Sequence, residues 1–247
     1  MSIKVVFFDV DDTLYDHSYH VHYAISAIRE KYSFLQEYSA EHLKELSHQF
    51  LEEVHERLLR GEVSIKESRR VRWEKFIEAV GQHNLDPMSL ANFYSRSYYE
   101  AERAVPGVIE LLETLSQSYK IGVISNNIFE EQLKKMHRIG ISDYIETFAI
   151  SEEVGAAKPD LKIFNTALNR AGVTSQEAIY IGDSWNNDIL GALNAGIRPL
   201  WFNRKGIPSP NQQISEISSF EPMENILTYI RNEIPTPQIT NAEPAKL

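Results

Sequence analysis

The run Val5-Val6-Phe7-Phe8, followed at once by Asp9-Val10-Asp11-Asp12-Thr13-Leu14, restricts the fold more than any other part of the chain. Four consecutive β-branched or aromatic residues predict a strand buried on both faces, which is the kind found in parallel sheets covered by helices. The acids then fall at the carboxyl end of that strand. Two carboxylates about 4 Å apart at an effective dielectric of roughly 20 repel by about 4 kcal/mol, so they stay together only where a cation or a proton shares the site. The alternative is that Asp and Thr simply cap the next turn.

From Val105-Pro106-Gly107 onward, short apolar runs alternate with helical patterns near 128–139, 160–171 and 187–195. The runs Ile121–Ser125, Phe148–Ile150, Ala178–Gly182 and Pro199–Phe202 are strand candidates. With the first strand they predict an α/β fold with a Rossmann-like, five-stranded parallel sheet and helices on both faces. Residues 17–103 read differently, as helices alone. An amphipathic stretch runs from Tyr23 to Tyr32, and Leu43, Leu46, Phe50, Val54 and Leu58 keep helical spacing between Ser39 and Gly61. Ser64 with Glu67 forms a capping-box pattern for a third helix through Val71, Phe76 and Val80 to Gly81, and Asp86-Pro87 opens a fourth through Phe93 and Tyr98. The expected division is a core from 1–16 and 104–233, a helical insertion at 17–103, and an extended or mobile tail at 234–247 that begins Ile234-Pro235-Thr236-Pro237.

Composition removes several functions. The 247 residues are 43% hydrophobic, enough to fill a sizeable core, and the net charge of −10 argues against nucleic acid and anionic membrane as partners. An anionic substrate would need a locally positive pocket. Without cysteine there is no disulfide, thiolate metal site or thiol nucleophile. No signal-peptide pattern and no span of about 18 apolar residues is present, which predicts a cytoplasmic protein. Neither GxGxxG nor GxxxxGK[ST] occurs.

Ligands of open α/β sheets bind beyond the carboxyl ends of the strands. There the chain places Asp9, Asp11 and Thr13; Ser125, Asn126 and Asn127; Lys158 after Gly155-Ala156-Ala157; and Asp183, Ser184 and Asp188. Each has a bland explanation as a turn or capping residue. Four carboxylates, a hydroxyl and an ammonium converging on one edge are costly together without a ligand.

Taken in order, these residues resemble the four motifs of the haloacid dehalogenase superfamily. DxDxT is matched by Asp9-Val10-Asp11-Asp12-Thr13, the strand-ending Ser or Thr by Ser125, the Lys by Lys158 before Pro159, and GDxxxxD by Gly182-Asp183-Ser184-Trp185-Asn186-Asn187-Asp188. The likeness covers residues 3 to about 203, with 17–103 in place of the type 1 cap of subfamily I phosphatases. Asp12 departs from the glycine of many relatives, although its N–H could still face a phosphate. The resemblance implies a Mg²⁺-dependent phosphatase acting on a small phosphorylated metabolite of the nucleoside monophosphate, sugar phosphate or phosphoserine class. Asp9 would be the nucleophile of an aspartyl-phosphate, and Asp11 the acid and base. Ser125, Asn126 and Lys158 would bind the phosphoryl group. The metal would be held by Asp9, the Asp11 backbone carbonyl and Asp183, with Asp188 behind a coordinated water. Thr13 would bond its own turn. The protein would be a monomer or homodimer. A dehalogenase attacks carbon and needs neither Asp11 nor the metal acids, which favours phosphoryl transfer. A phosphosugar mutase on the same core, or a phospho-accepting regulatory switch, is the alternative.

Other signals have plainer readings. His17, His20 and His22 could bind zinc but read as a polar hinge. Arg69, Arg70 and Arg72 among Glu62, Glu67 and Glu74 read as a salt-bridged helix face, and Trp73, Tyr98 and Tyr99 as core. Trp185, inside the fourth motif, is open between packing and function.

Overall fold

Val5–Phe8 forms β1 near the middle of a six-stranded sheet in the computed structural model, which describes residues 2–231. The other strands are β2 (Lys120–Ser125), β3 (Thr147–Ile150), β4 (Ala178–Gly182), β5 (Arg198–Phe202) and β6 (Glu216–Ile217). Their order is β3-β2-β1-β4-β5-β6 and every neighbouring pair is parallel. All residues of β1, β4 and β5 are buried, so both faces of the sheet's centre are covered, as the unbroken apolar runs demand. The five expected strands are present and β6 adds a sixth at the edge. Two residues, one of them the exposed Glu216, carry no readable period; Asn203 N–H donating to the Ile217 carbonyl (2.7 Å) holds the strand there.

The chain divides into two compact units, Met1–Asp16 with Arg103–Leu247, and His17–Glu102. The second unit contains α1 (His17–Lys31), α2 (Ala40–Leu59), α3 (Ile65–Ala79) and α4 (Pro87–Glu100). The expected caps form: the Ser64 hydroxyl accepts from Glu67 N–H (3.2 Å) and the Asp86 carboxylate from Ser89 N–H (2.8 Å). Trp73 and Phe76 pack with Tyr94 in its interior, whereas Tyr99 is 39% exposed and not a core residue. The arginines do not share one salt-bridged face. Arg70 pairs with Glu74, but Arg69 donates to the Ala91 carbonyl and Ser95 Oγ of α4, and Arg72 donates to Ser47 Oγ of α2 while lying over the Trp73 ring. Positions 69, 72, 73 and 76 recur at helical spacing, so these two guanidiniums tie α3 to its neighbours. His17 Nδ1 lies 2.7 Å from the Tyr98 hydroxyl and His20 packs edge-on against the same ring, as members of the helical unit rather than a zinc set.

The first unit adds α5 (Val108–Ser116), α6 (Phe129–Arg138), α7 (Ser151–Val154), α8 (Leu161–Ala171), α9 (Leu190–Asn194) and α10 (Glu224–Arg231). The single helix expected at 187–195 is instead a π-helical turn, Trp185–Ile189, followed by α9. Such turns are rare and often lie at functional sites. The tail expected at 234–247 lies outside the described residues.

Candidate active site

The order of the sheet decides where its ligands can bind. β1 has β2 on one side and β4 on the other, so the loops leaving β1 and β4 part and open a crevice at their carboxyl ends. Phe8 pairs with Ile181 across β1 and β4, and Asp9 N–H donates to the Ile181 carbonyl (2.9 Å), which sets Asp9 beside Gly182-Asp183. Phe8 also pairs with Val123, bringing the end of β2 at Ser125 to the other flank.

Asp188 reaches the same place because the π turn folds it back over β4. Ser184 N–H donates to Asp188 Oδ2 (2.9 Å), and a Cβ on Gly182 would lie 2.6 Å from the Asp188 carboxyl carbon. Only glycine leaves that room. The Trp201 indole N–H donates to the Asp183 carbonyl (2.8 Å), and Trp185 packs edge-on against Trp201, which makes Trp185 a support of the loop.

Lys158 is carried in by the loop between α7 and α8. Its backbone is bracketed by Asn126, whose Nδ2 donates to the Lys158 carbonyl (3.0 Å) while its Oδ1 accepts from the Lys158 N–H (2.6 Å). The Asn126 side chain is thus occupied with the lysine rather than turned to a substrate. The ammonium lies 2.6 Å from Asp9 Oδ1, 2.7 Å from Asp188 Oδ1 and 3.0 Å from the Tyr180 hydroxyl, which in turn donates to Asp188 Oδ1 (2.8 Å). Tyr180 escaped the sequence reading. Its signal was a phenol inside a wholly buried strand, where the hydroxyl needs a partner.

Among the described residues, Asp9, Asp183 and Asp188 form a group whose oxygens lie within 4.8 Å of one another. Three carboxylates against one ammonium leave the group short of positive charge. Burial, then repulsion from Asp188 and Asp183, outweighs Lys158 and holds the Asp9 carboxyl well above the usual range; burial with Asp188 and Asp12 pushes Asp183 up to about 7. Burial alone would lower Lys158, but Asp188 and Asp9 more than offset it and keep the amine charged. Burial and the same acids raise the Tyr180 phenol. Hard oxygen donors with this appetite for positive charge fit a hard divalent cation.

The Asp11 side chain is not part of that group. Its Oδ1 meets Lys135 Nζ at 2.5 Å and its Oδ2 accepts from Gln132 Nε2 at 2.8 Å, both on α6. Sequence reasoning missed both residues. Two further expectations need correction. Among the described residues the buried Thr13 hydroxyl has no hydrogen-bond partner, and its turn is closed by backbone bonds to the Val10 carbonyl. Asp12 adopts φ 63°, the left-handed conformation that glycine takes without strain, and its N–H donates to the Tyr15 carbonyl (2.8 Å) instead of facing outward.

The haloacid dehalogenase-like hydrolase family profile matches residues 6–202. This chain belongs to that family. The hydrolase is 32% identical over 170 residues to the pyrimidine 5'-nucleotidase YjjG of Escherichia coli, covering 68% of this chain and 74% of the relative. It is 31% identical over 205 residues to a glyceraldehyde 3-phosphate phosphatase of Methanothermobacter thermautotrophicus, covering 81% and 86%. The fold superposes on the magnesium-bound putative HAD-hydrolase YfnB of Bacillus subtilis with a TM-score of 0.69 at 23% identity, covering 92% of this chain and 99% of that one. Among its described residues no helix is long and apolar enough to cross a membrane.

Proposed function

We propose that this hydrolase is a Mg²⁺-dependent phosphatase that cleaves a small phosphorylated metabolite through an aspartyl-phosphate on Asp9. One observation carries the reading: a buried ammonium bridges Asp9 and Asp188 within 2.7 Å, yet the three carboxylates remain short of positive charge. A purely structural ion pair needs two partners, not four. Mg²⁺ would be held by Asp9, the Asp11 backbone carbonyl and Asp183, with Asp188 behind them; when bound it neutralises the acids and polarises the phosphoryl group.

The chain's own groups account for the remaining chemistry. An Asp9 oxygen bonds to phosphorus as the bond to the leaving oxygen breaks, and Lys158 stabilises the charge shared by Asp9 and the phosphoryl oxygens. The Ser125 hydroxyl donates to a phosphoryl oxygen. Asp11 gives its proton to the leaving oxygen, then takes one from the water that attacks phosphorus and frees Asp9. Without a proton donor an alkoxide would have to leave, which is why a second acid two residues from the nucleophile favours phosphate esters over alkyl halides as substrates. The names of the two relatives support nucleoside monophosphates and sugar or triose phosphates as the first classes to assay.

Phosphate release from a panel of phosphorylated metabolites, with and without Mg²⁺, tests the proposal. We expect turnover only with the metal and none from Asp9→Asn. Equal activity of Asp9→Asn and wild type would remove Asp9 from its role.

A further inference from the structure

Gln132 and Lys135 stand one helical turn apart on α6 and take no part in the mechanism above. Gln132 is fully buried. Its single amide nitrogen donates twice, to Asp11 Oδ2 and to Ser125 Oγ, each at 2.8 Å. Lys135 holds the other Asp11 oxygen at 2.5 Å; its side chain is 12% exposed and its ammonium sits 5.3 Å from the centre of the Tyr15 ring. Asn127 Nδ2 adds a longer contact to Asp11 Oδ2 at 3.4 Å. Each carboxylate oxygen therefore has its own donor.

The amide of Gln132 has one orientation open to it. Paired with the Lys135 ammonium, Asp11 accepts here as a carboxylate; an amide oxygen toward it would set two acceptors against each other, so the nitrogen faces the acid until Asp11 takes up the proton it gives the leaving oxygen. Its oxygen is then buried with no hydrogen-bond partner among the described residues. A glutamine kept only for packing would be better replaced by leucine or methionine of similar size, which bury no unpaired polar atom. The residue is explained by its two donors. Because Ser125 Oγ accepts from Gln132, the hydroxyl proton is directed away from α6 and stays available to donate elsewhere.

We propose that Gln132 and Lys135 are positioning residues that fix the Asp11 carboxylate and the Ser125 hydroxyl relative to each other, so that one faces the leaving oxygen and the other the phosphoryl oxygens. This rests on the phosphatase reading and adds to it two residues that never touch substrate. A helix that grips both groups couples leaving-group protonation to phosphoryl binding.

The test uses the full chain with Mg²⁺ and compares kcat/KM, which ends at phosphoenzyme formation, for an alkyl phosphate and for p-nitrophenyl phosphate, whose leaving group needs no proton. Lys135→Met should lower the alkyl value by about 30-fold or more and the aryl value by less than about 3-fold, since proton transfer matters only for the first. Lys135→Arg should recover most of the alkyl activity. Gln132→Leu should lower both, the alkyl value further, because Ser125 is released as well. Equal losses on both substrates, or no loss, would overturn the proposal. Crystal structures of the two variants give a readout independent of turnover and a check of the fold. The Asp11 carboxyl should leave its place, and an unmoved Asp11 in both would equally overturn the proposal. Asp9→Asn, assayed beside them, separates the two ideas: if it matched wild type the phosphatase reading would fall, while the crystal structures would still judge the grip of α6.

Discussion

Gly182→Ala should damage the site without removing a single polar group. The added Cβ would lie 2.6 Å from both Cγ and Oδ2 of Asp188 and 2.7 Å from its Cβ, whereas carbon contacts relax near roughly 3.5 Å. Asp188 would have to retreat by about 1 Å. Its carboxylate is held by Lys158 (2.7 Å), the Tyr180 hydroxyl (2.8 Å) and Ser184 N–H (2.9 Å), so a shift of that size stretches all three beyond hydrogen-bonding range. Overpacking costs about 1–3 kcal/mol, and each bond to a charged group contributes about 1.5–3 kcal/mol, though they are not independent. The net loss should be about 3–5 kcal/mol, or about 10 °C in Tm for a chain of this length. Activity should fall about 100-fold, the usual consequence of a 1 Å misplacement near a reacting centre. Urea denaturation and phosphate release measure the two effects. Gly172→Ala is the control, because that glycine has φ 68° with open space around it and should lose only about 1–2 kcal/mol of stability and no activity. Equal activity and stability of Gly182→Ala and wild type would refute the reasoning.

Lys158→Met should abolish measurable turnover and lower metal-free stability by about 3 kcal/mol at pH 8, with a smaller loss near pH 5, where Asp9 and Asp183 can take up protons in place of the missing ammonium; urea melts at the two pH values check this. Asp12→Gly should stabilise by about 1 kcal/mol by relieving the left-handed backbone, and an unchanged or lowered urea midpoint would contradict it. Asp16 is buried between Arg204 (2.9 Å) and Arg103 (2.6 Å), and although burial alone would raise its carboxyl, the two guanidiniums hold it below the usual range. A depressed folded value means that the stabilisation is present above the unfolded value near roughly 4 and is lost as pH falls through the folded one. Asp16→Asn should therefore lose about 1–3 kcal/mol at pH 7, with the gap closing below about pH 4 in denaturation curves.

How far the sequence revealed this molecule depended on whether a feature was local. Val5–Phe8, Ile121–Ser125 and Ala178–Gly182 read as buried strands because unbroken β-branched and aromatic runs have few other uses, and their chemistry-bearing residues sit within a few positions of each strand end. Gly182 and Asp188 were legible as a pair through spacing alone, though the reason for the glycine is a contact only the fold reveals. Tyr180 went unnoticed because its hydroxyl gains meaning from Lys158, 22 positions away, and from the π turn that returns Asp188 over the strand. Gln132 and Lys135 carry no motif: they meet Asp11 across more than 120 positions, a juxtaposition that only the fold makes. Arg69 and Arg72 misled for the opposite reason, since nearby glutamates in sequence are not neighbours on the helix face that those side chains use. β6 is too short to carry a pattern.

The central claim is that buried acids from distant parts of the chain gather so that Asp9 can take a phosphoryl group, and trapping that group tests it most directly. An acid-quenched reaction with Mg²⁺ and a turned-over substrate, reduced with borohydride and digested, converts any acyl phosphate to homoserine at the residue that carried it. Homoserine at position 9, absent when Mg²⁺ is withheld, is the result predicted here. Unmodified Asp9 with homoserine at any other acid, under conditions of active turnover, would contradict the account.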